Sequence, residues 1–302
     1  MDARKIQLVG NRSYAITLPK KWVTQHKLKN QDTVSVVPTE HNDLLISTQQ
    51  GRVEPQQDIS LQVTDTKTLA EFIVFCYIKN VNRIRLHFAE NGFEVSREAG
   101  HILQFLEGYE ITSESEHTLE ISFLFQEMRV TLPNIIRRML YLLKLEVNCW
   151  KHNDLSAIEE TELTIDRLYY LSKRIIFLCS ISSLQQKENE VEYEEDLFFL
   201  DHLIKRMESI SDTLYRYRKD KLSPKDAAAL DETIKLLEQA LQKKVTMSQL
   251  KTQYEVLNNR ITPEKNAYPI VRTLEITKDI IDSVMDIEFN RLMHANALRK
   301  IE

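Results

Sequence analysis

The chain has 302 residues, 42% of them hydrophobic, which is enough for two or three domains with cores of their own. Its net charge is −5, so the whole chain is not a polycation, and no apolar run approaches the roughly 20 residues that a membrane span needs. The three cysteines are far apart and form no CxxC pair, which argues against a disulfide framework and favours a reducing cytoplasm.

Charge and glycine are distributed unevenly along the chain. Residues 1–50 hold seven Lys/Arg and four Asp/Glu, a net of +3, so the remainder carries −8. A basic segment on an acidic protein is expected where only that segment meets phosphate. All five glycines lie in the first 108 residues, so the following 194 residues are predicted to be helical.

The first fifty residues alternate between apolar and polar side chains, as short strands do. Strands are predicted at 4–9 and 14–18 around a turn at Gly10-Asn11, followed by a short helix at 20–27 that begins after Pro19. Two more strands are predicted at 33–37 and 44–47, with a turn at 41–43. Four short strands bury little area alone, so we expect an obligate dimer.

Residues 54–126 are predicted to form a small mixed α/β domain without a recognisable functional motif. Connecting the other domains, or supporting a dimer, is the role expected for it. Its predicted strands are 58–63, 83–88, 109–114 and 118–125, and its predicted helices are 66–80 and 95–107.

Residues 127–302 show apolar stripes at helical spacing, which predict core packing in an elongated bundle. Ser223-Pro224 and Thr262-Pro263 each place an N-cap residue before a proline, which marks a helix start. Six helices in two groups of three are predicted, near 130–153, 155–186, 193–220, 224–243, 247–259 and 264–299.

Three of these helices carry Glu and Asp four residues apart, which places both carboxylates on one helix face. Glu162 also lies on the apolar seam between Ile158 and Ile165, so it is expected to meet a metal, an arginine or another polar group. Oxygen-only ligands of this kind suit Mg²⁺, Mn²⁺ or iron, although the last pair also fits a solvated acidic face. The pairs are Glu162 and Asp166, Glu208 and Asp212, and Glu275 and Asp279.

The segment RKIQLVGNRSYAITLPKKW (residues 4–22), followed by LKNQDTVSV (28–36), resembles the AbrB/MazE family of DNA-binding modules. The resemblance implies that two chains interleave their hairpins into one β-barrel and bind a pseudo-palindromic DNA site. Gln31 replaces a usual glycine, so another turn conformation is expected, and Val23-Thr24 replaces an arginine pair of AbrB. Alternatively, the barrel serves only dimerisation. The basic residues that the resemblance places against DNA are Arg4, Lys5, Arg12, Lys20 and Lys21.

The helical part resembles PhoU, a regulator of phosphate signalling, in the segments ELTIDRL (162–168), KRMESISD (205–212) and RTLEITKD (272–279). PhoU proteins contain two three-helix repeats, each with a carboxylate metal cluster. In the second repeat Asn259 replaces the expected aspartate, which weakens that cluster. The resemblance implies metal ligands at Glu162, Asp166, Glu208 and Asp212, with Glu275 and Asp279 as a weaker set.

Together these features predict an α+β multidomain protein: a swapped-hairpin barrel at 1–50, an α/β domain at 54–126 and a six-helix PhoU-like bundle at 127–302. An AbrB-type module fused to a PhoU-like bundle resembles archaeal phosphate uptake regulators. This implies a homodimeric transcriptional regulator of phosphate uptake, without membrane insertion.

Two other functions are compatible with the sequence. One is an adaptor that inhibits a phosphate transporter or signalling kinase by protein contact. The other is an antitoxin-like protein, for which the folded bundle is unusually large. An enzyme is not expected, because the chain lacks a glycine-rich phosphate loop, a nucleophile elbow and a Cys–His signature.

Overall fold

The computed structural model divides the chain into two compact units, Met1–Glu54 and Pro55–Glu302. None of the helices it describes is both long and apolar enough to cross a membrane. The residues that the structure describes are 4–10, 13–38, 44–48, 58–90, 92–125, 130–242, 245–261 and 268–294.

The N-terminal unit consists of two antiparallel hairpins and one short helix. The first hairpin pairs β1 (Gln7–Val9) with β2 (Ser13–Ala15), and the second pairs β3 (Ser35–Pro38) with β4 (Leu44–Ser47). Helix α1 (Lys20–Gln25) lies between them in the chain and begins after Pro19. The predicted order of elements is confirmed, with the first three strands shorter than predicted, whereas the turn residues Asn11 and 41–43 lie outside the described residues.

Most apolar side chains of these hairpins whose exposure the structure describes are exposed to solvent. In the described part of the unit no side chain is buried, and Leu8 and Tyr14 are 61% and 72% exposed. Because burial of apolar surface is the main stabilising contribution in folding, one copy of this unit lacks a core. The exposed set is Ile6, Leu8, Val9, Tyr14, Ile16, Val36 and Leu44.

The turn at Gln31 differs from the prediction. Gln31 has a φ of 76°, in the left-handed region that glycine adopts at least cost. The backbone N–H of Lys29 donates to Oδ2 of Asp32 at 2.6 Å and closes this turn. The expectation of another backbone conformation was therefore wrong: a hydrogen-bonded turn holds glutamine in a conformation that suits glycine.

A four-stranded sheet with two helices begins the second unit. Strands β5 (Asp58–Gln62) and β6 (Arg83–His87) are parallel, and β7 (Tyr109–Glu114) and β8 (Thr118–Phe123) complete the order β5-β6-β8-β7 with antiparallel pairings. Alternate side chains of β6 and β8 pack under α2 (Leu69–Ile78) and α3 (Gly92–Leu103) in one apolar core. The four predicted strands and two predicted helices are confirmed.

Seven helices follow in the described part of the chain. Ser223 accepts a hydrogen bond from the backbone N–H of Asp226 and caps the helix that begins at Pro224, as predicted. The predicted single helix at 155–186 is interrupted, because Ser182 ends one helix and caps the next. The cap predicted at Thr262 lies outside the described residues. The helices are α4 (Leu132–Lys151), α5 (Leu155–Ile181), α6 (Ser183–Glu188), α7 (Asp196–Arg216), α8 (Pro224–Leu241), α9 (Met247–Arg260) and α10 (Tyr268–His294).

The long helices pack as two groups of three, as predicted. Helices α4, α5 and α7 contact one another and form the first bundle, and α8, α9 and α10 form the second. The two bundles meet mainly where α7 packs against α10. Arg206 pairs with Asp279 at 3.2 Å, and Asn290 donates to Asp196 at 2.8 Å, so these two helices run antiparallel.

Arg174 of α5 connects the first bundle to the sheet. Its side chain is 1% exposed and donates to the carbonyl of Tyr77 and to Oδ1 of Asn80, at 2.6 Å each. The guanidinium lies 3.9 Å from the centre of the Phe123 ring and also faces the rings of Tyr77 and Tyr109. Arg174 therefore holds α5, which carries two of the predicted metal ligands, against the sheet.

Candidate functional site

The basic residues predicted to face DNA are exposed where the structure describes them. Lys5 precedes β1, and Lys20 and Lys21 form the first turn of α1. Arg4 donates from Nη1 to Thr17 Oγ1 at 3.2 Å, which holds its guanidinium beside the chain that follows β2. Arg12 lies outside the described residues.

Three of the four carboxylates predicted to bind metal come together in the first bundle. Glu162 and Asp166 project from successive turns of α5, and Asp212 faces them from α7. One oxygen from each lies within 4.8 Å of the others, and all three side chains are half-buried. We call Glu162, Asp166 and Asp212 the carboxylate cluster. Among the described residues, no lysine or arginine forms an ion pair with any of the three.

Burial and neighbouring negative charges raise the pKa values of two cluster carboxyls, although Lys205 lowers that of Asp166 to a smaller extent. Burial raises the pKa of Asp166 from 3.8 to about 7, with further contributions from the negative charges of Glu162, Glu208 and Asp212. Burial and the charges of Asp212 and Glu208 also raise the pKa of Glu162, and Arg218 lowers it to a smaller extent. The cluster is therefore a site of unbalanced negative charge.

Glu208, the fourth predicted ligand, forms an ion pair with a lysine side chain. Both of its carboxylate oxygens accept hydrogen bonds from Lys205 Nζ at 2.6 Å, and its side chain is 10% exposed. Lys205 also lies 4.9 Å from the centre of the Tyr169 ring, which confines the ammonium group. Glu208 borders the cluster, but its carboxylate is neutralised by Lys205.

Sequence reasoning missed a further carboxylate, that of Glu146 on α4. Glu146 is 0% exposed, its Oε2 accepts a hydrogen bond from Ser211 Oγ at 2.8 Å, and its Oε1 has no partner. Burial raises its pKa well above the usual range, and Glu162, Asp212 and Asp166 raise it further. The available signal was the position of Glu146 on the apolar seam of α4, between Leu143 and Trp150.

The equivalent stripe in the second bundle is neutralised by cations. Arg272 pairs with Glu275 at 3.2 Å, and Arg206 pairs with Asp279 at 3.2 Å. The next acidic residue on α10, Asp282, pairs with Lys278 at 2.6 Å. Glu275 and Asp279, the weaker predicted ligand set, thus form ion pairs and are not part of a compact carboxylate group within the described residues.

The carboxylate cluster has the donor atoms and the spacing that a divalent cation requires. Hard cations hold oxygen ligands at about 2.0–2.6 Å, so two of their ligands lie up to about 5 Å apart. The spread of 4.8 Å among the three cluster oxygens fits this range. A cation there would also neutralise charge that the described side chains leave unbalanced.

Comparison with known families identifies part of the chain. Residues 7–54 match the family described as "Antidote-toxin recognition MazE, bacterial antitoxin". These residues form a MazE/AbrB-type domain, a class that typically binds DNA and dimerises, and such a domain indicates a DNA-binding regulator or an antitoxin. No curated protein and no solved structure matches the chain.

Proposed function

We propose that the chain is a dimeric transcriptional regulator of phosphate uptake that binds DNA through its N-terminal unit. The observation that carries the proposal is the MazE-type domain at 7–54, whose hairpins leave their apolar side chains exposed in a single chain. A second copy that interleaves its hairpins with the first would cover these side chains. The resulting two-fold symmetry fits a pseudo-palindromic DNA site.

DNA contact is assigned to the exposed basic residues of this unit, Arg4, Lys5, Lys20 and Lys21. Lysine and arginine that neutralise phosphates displace bound counterions, so the affinity falls as salt rises. Each phosphate contact contributes about 0.9 to the slope of log affinity against log salt. Losing two contacts therefore reduces that slope by about 2.

DNA binding is tested with the promoter of the chain's own gene at several salt concentrations. The double variant Lys20→Ala, Lys21→Ala is expected to bind more weakly and with a smaller salt dependence than the wild type. The double variant Lys221→Ala, Lys225→Ala removes the same charge from the second unit and is expected to behave like the wild type. Wild-type affinity that does not exceed the affinity for unrelated DNA would refute the regulator.

We further propose that the carboxylate cluster binds one divalent cation, Mg²⁺, Mn²⁺ or Fe²⁺. The support is the compact set of half-buried oxygens, none of which forms an ion pair with a described lysine or arginine. Metal analysis of chain purified without chelator tests this. Glu162→Ala is expected to lose the metal, whereas Glu275→Ala is expected to retain it. Equal metal content in the wild type and in Glu162→Ala would refute the proposed site.

The assignment to phosphate uptake is supported by the acidic helix segments at 162–168 and 205–212 and by the pairing of two three-helix bundles, both of which resemble PhoU. Deleting the gene is expected to change transcript levels of phosphate transport genes when phosphate is varied. Unchanged transcripts combined with altered phosphate uptake would favour an adaptor that acts on a transporter or kinase by contact.

The family match itself favours a second candidate, an antitoxin whose helical part binds a toxin. An antitoxin gene is expected to be essential while its toxin gene is present and dispensable once the toxin gene is removed. If the gene can be deleted in every genetic background, the antitoxin function is excluded.

A further inference from the structure

Glu146 is buried in the first bundle without the partner that a buried carboxylate needs. Its Oε1 has less than 1 Å² of exposed surface and no hydrogen-bond partner, and Oε2 accepts only from Ser211. A polar atom left in this state costs free energy, and an ionised one costs more. Two other buried acids of the bundles do have side-chain donors, since Asp196 accepts a hydrogen bond from Asn290 and Glu208 accepts one from Lys205.

The carboxyl group of Glu146 approaches the carboxylate cluster from the bundle interior but lies outside the 4.8 Å group formed by its three oxygens. Its hydrogen-bond donor, Ser211, directly precedes Asp212 on α7, and the Ser211 Oγ to Glu146 Oε2 distance is 2.8 Å. Glu146 also interacts electrostatically with Glu162, Asp212 and Asp166, which are all three members of the cluster. Two cations act on the cluster from outside it, Lys205 and Arg218, and they form their ion pairs with Glu208 and Glu159.

We propose that Glu146 is a fourth carboxylate ligand of the cation at the cluster, supplied by α4 from the interior of the bundle. The proposal rests on the proposed cation site and deepens it. A cation there would satisfy the unpartnered Oε1, while the hydrogen bond from Ser211 would keep the carboxylate oriented. The ion would then join all three helices of the first bundle, α4, α5 and α7.

The alternative to a metal ligand is that Glu146 is a core residue whose carboxyl group is held only by the hydrogen bond from Ser211. Three observations favour a ligand: the orphaned oxygen, the proximity to three carboxylates that form no ion pair with a described cation, and the origin of these groups on different helices. The described residues of the second bundle do not repeat the arrangement, because Glu275 and Asp279 are paired with arginines.

The test is calorimetric titration of the full chain with Mn²⁺ after removal of bound metal with a chelator. Glu146→Gln preserves the shape of the side chain and is expected to weaken Mn²⁺ binding at least about tenfold. Ser211→Ala removes the orienting hydrogen bond but retains the carboxylate, so a smaller loss of affinity than that of Glu146→Gln is expected. Glu275→Gln, in the second bundle, is expected to bind as the wild type does.

If Glu146→Gln binds Mn²⁺ as tightly as the wild type does, the proposal is overturned. If Glu162→Gln loses Mn²⁺ binding in the same experiment, the cation site itself still stands. Absence of Mn²⁺ binding by the wild type would overturn both. Hydrogen exchange of the wild-type chain is a second measurement that needs no variant. Mn²⁺ is expected to slow exchange in α4 as well as in α5 and α7, and slowing confined to α5 and α7 would contradict a ligand on α4.

Discussion

The substitution Asp166→Asn is expected to stabilise the metal-free chain at pH 8 and to have a smaller stabilising effect at pH 5. Asparagine resembles the protonated aspartic acid in shape and lacks its charge. In the folded chain the pKa of Asp166 is raised from 3.8 to about 7, so the native state binds more protons than the unfolded state between these values. The free energy of unfolding therefore falls as pH rises through this window, and is lowest above it.

The size of the effect follows from the same values. A pKa raised from 3.8 to about 7 corresponds to a limit of about 4 kcal/mol in the free energy of unfolding. Because the carboxyl group is partly exposed, solvent screening reduces this to about 1–2 kcal/mol. Asp166→Asn should recover that amount at pH 8.

Urea unfolding in the presence of a chelator, at pH 5 and pH 8, measures the difference. Glu275→Gln is the control, since Glu275 is an exposed partner of Arg272 and removing its charge should change stability equally at both pH values. If the difference between Asp166→Asn and the wild type were the same at pH 5 and pH 8, the reasoning about the cluster would be refuted.

Four backbone and core substitutions test the fold. Gln31→Gly is expected to stabilise the N-terminal unit by roughly 1 kcal/mol, because glycine accepts the φ of 76° without strain, and unfolding followed by Trp22 fluorescence should show it. Gly108→Ala is expected to lower the unfolding temperature, with a cost of about 2 kcal/mol or more, because the new Cβ would lie 2.6 Å from a phenylalanine ring at a φ of +88°. Gly100→Ala, where nothing lies within 4 Å, should instead be neutral or stabilising. Arg174→Met leaves Asn80 Oδ1 without its donor, removes one of the donors to the Tyr77 carbonyl and is expected to cost about 2–3 kcal/mol in urea unfolding, and a loss below 1 kcal/mol would contradict its role.

Much of the helical fold was predictable because its signals are local. Serine and threonine caps, prolines at first turns and apolar stripes at spacings of three and four depend only on neighbouring residues. The break at Ser182 was missed because the apolar pattern continues across it. Gln31 was misjudged because the left-handed conformation of a non-glycine residue is maintained by the turn hydrogen bond of Asp32, not by residue preference.

The candidate site was predictable only in part, since it depends on contacts between helices. Spacing alone placed Glu162 with Asp166 on one face. Nothing in the local sequence shows that Lys205 neutralises Glu208, or that Ser211 donates to a glutamate 65 positions earlier in the chain. A carboxylate on an apolar seam, as at Glu146, is a signal that sequence reasoning can use, but its neighbours become known only from the packing.

The exposed apolar strands of the N-terminal unit have a genetic consequence under the proposed dimer. Chains that fold this unit only by interleaving must mix at random when two alleles are expressed together. An allele that damages the second unit but leaves residues 4–48 intact would then enter most dimers and impair its normal partners. Such alleles are expected to be dominant, whereas alleles that prevent the hairpins from folding are expected to be recessive.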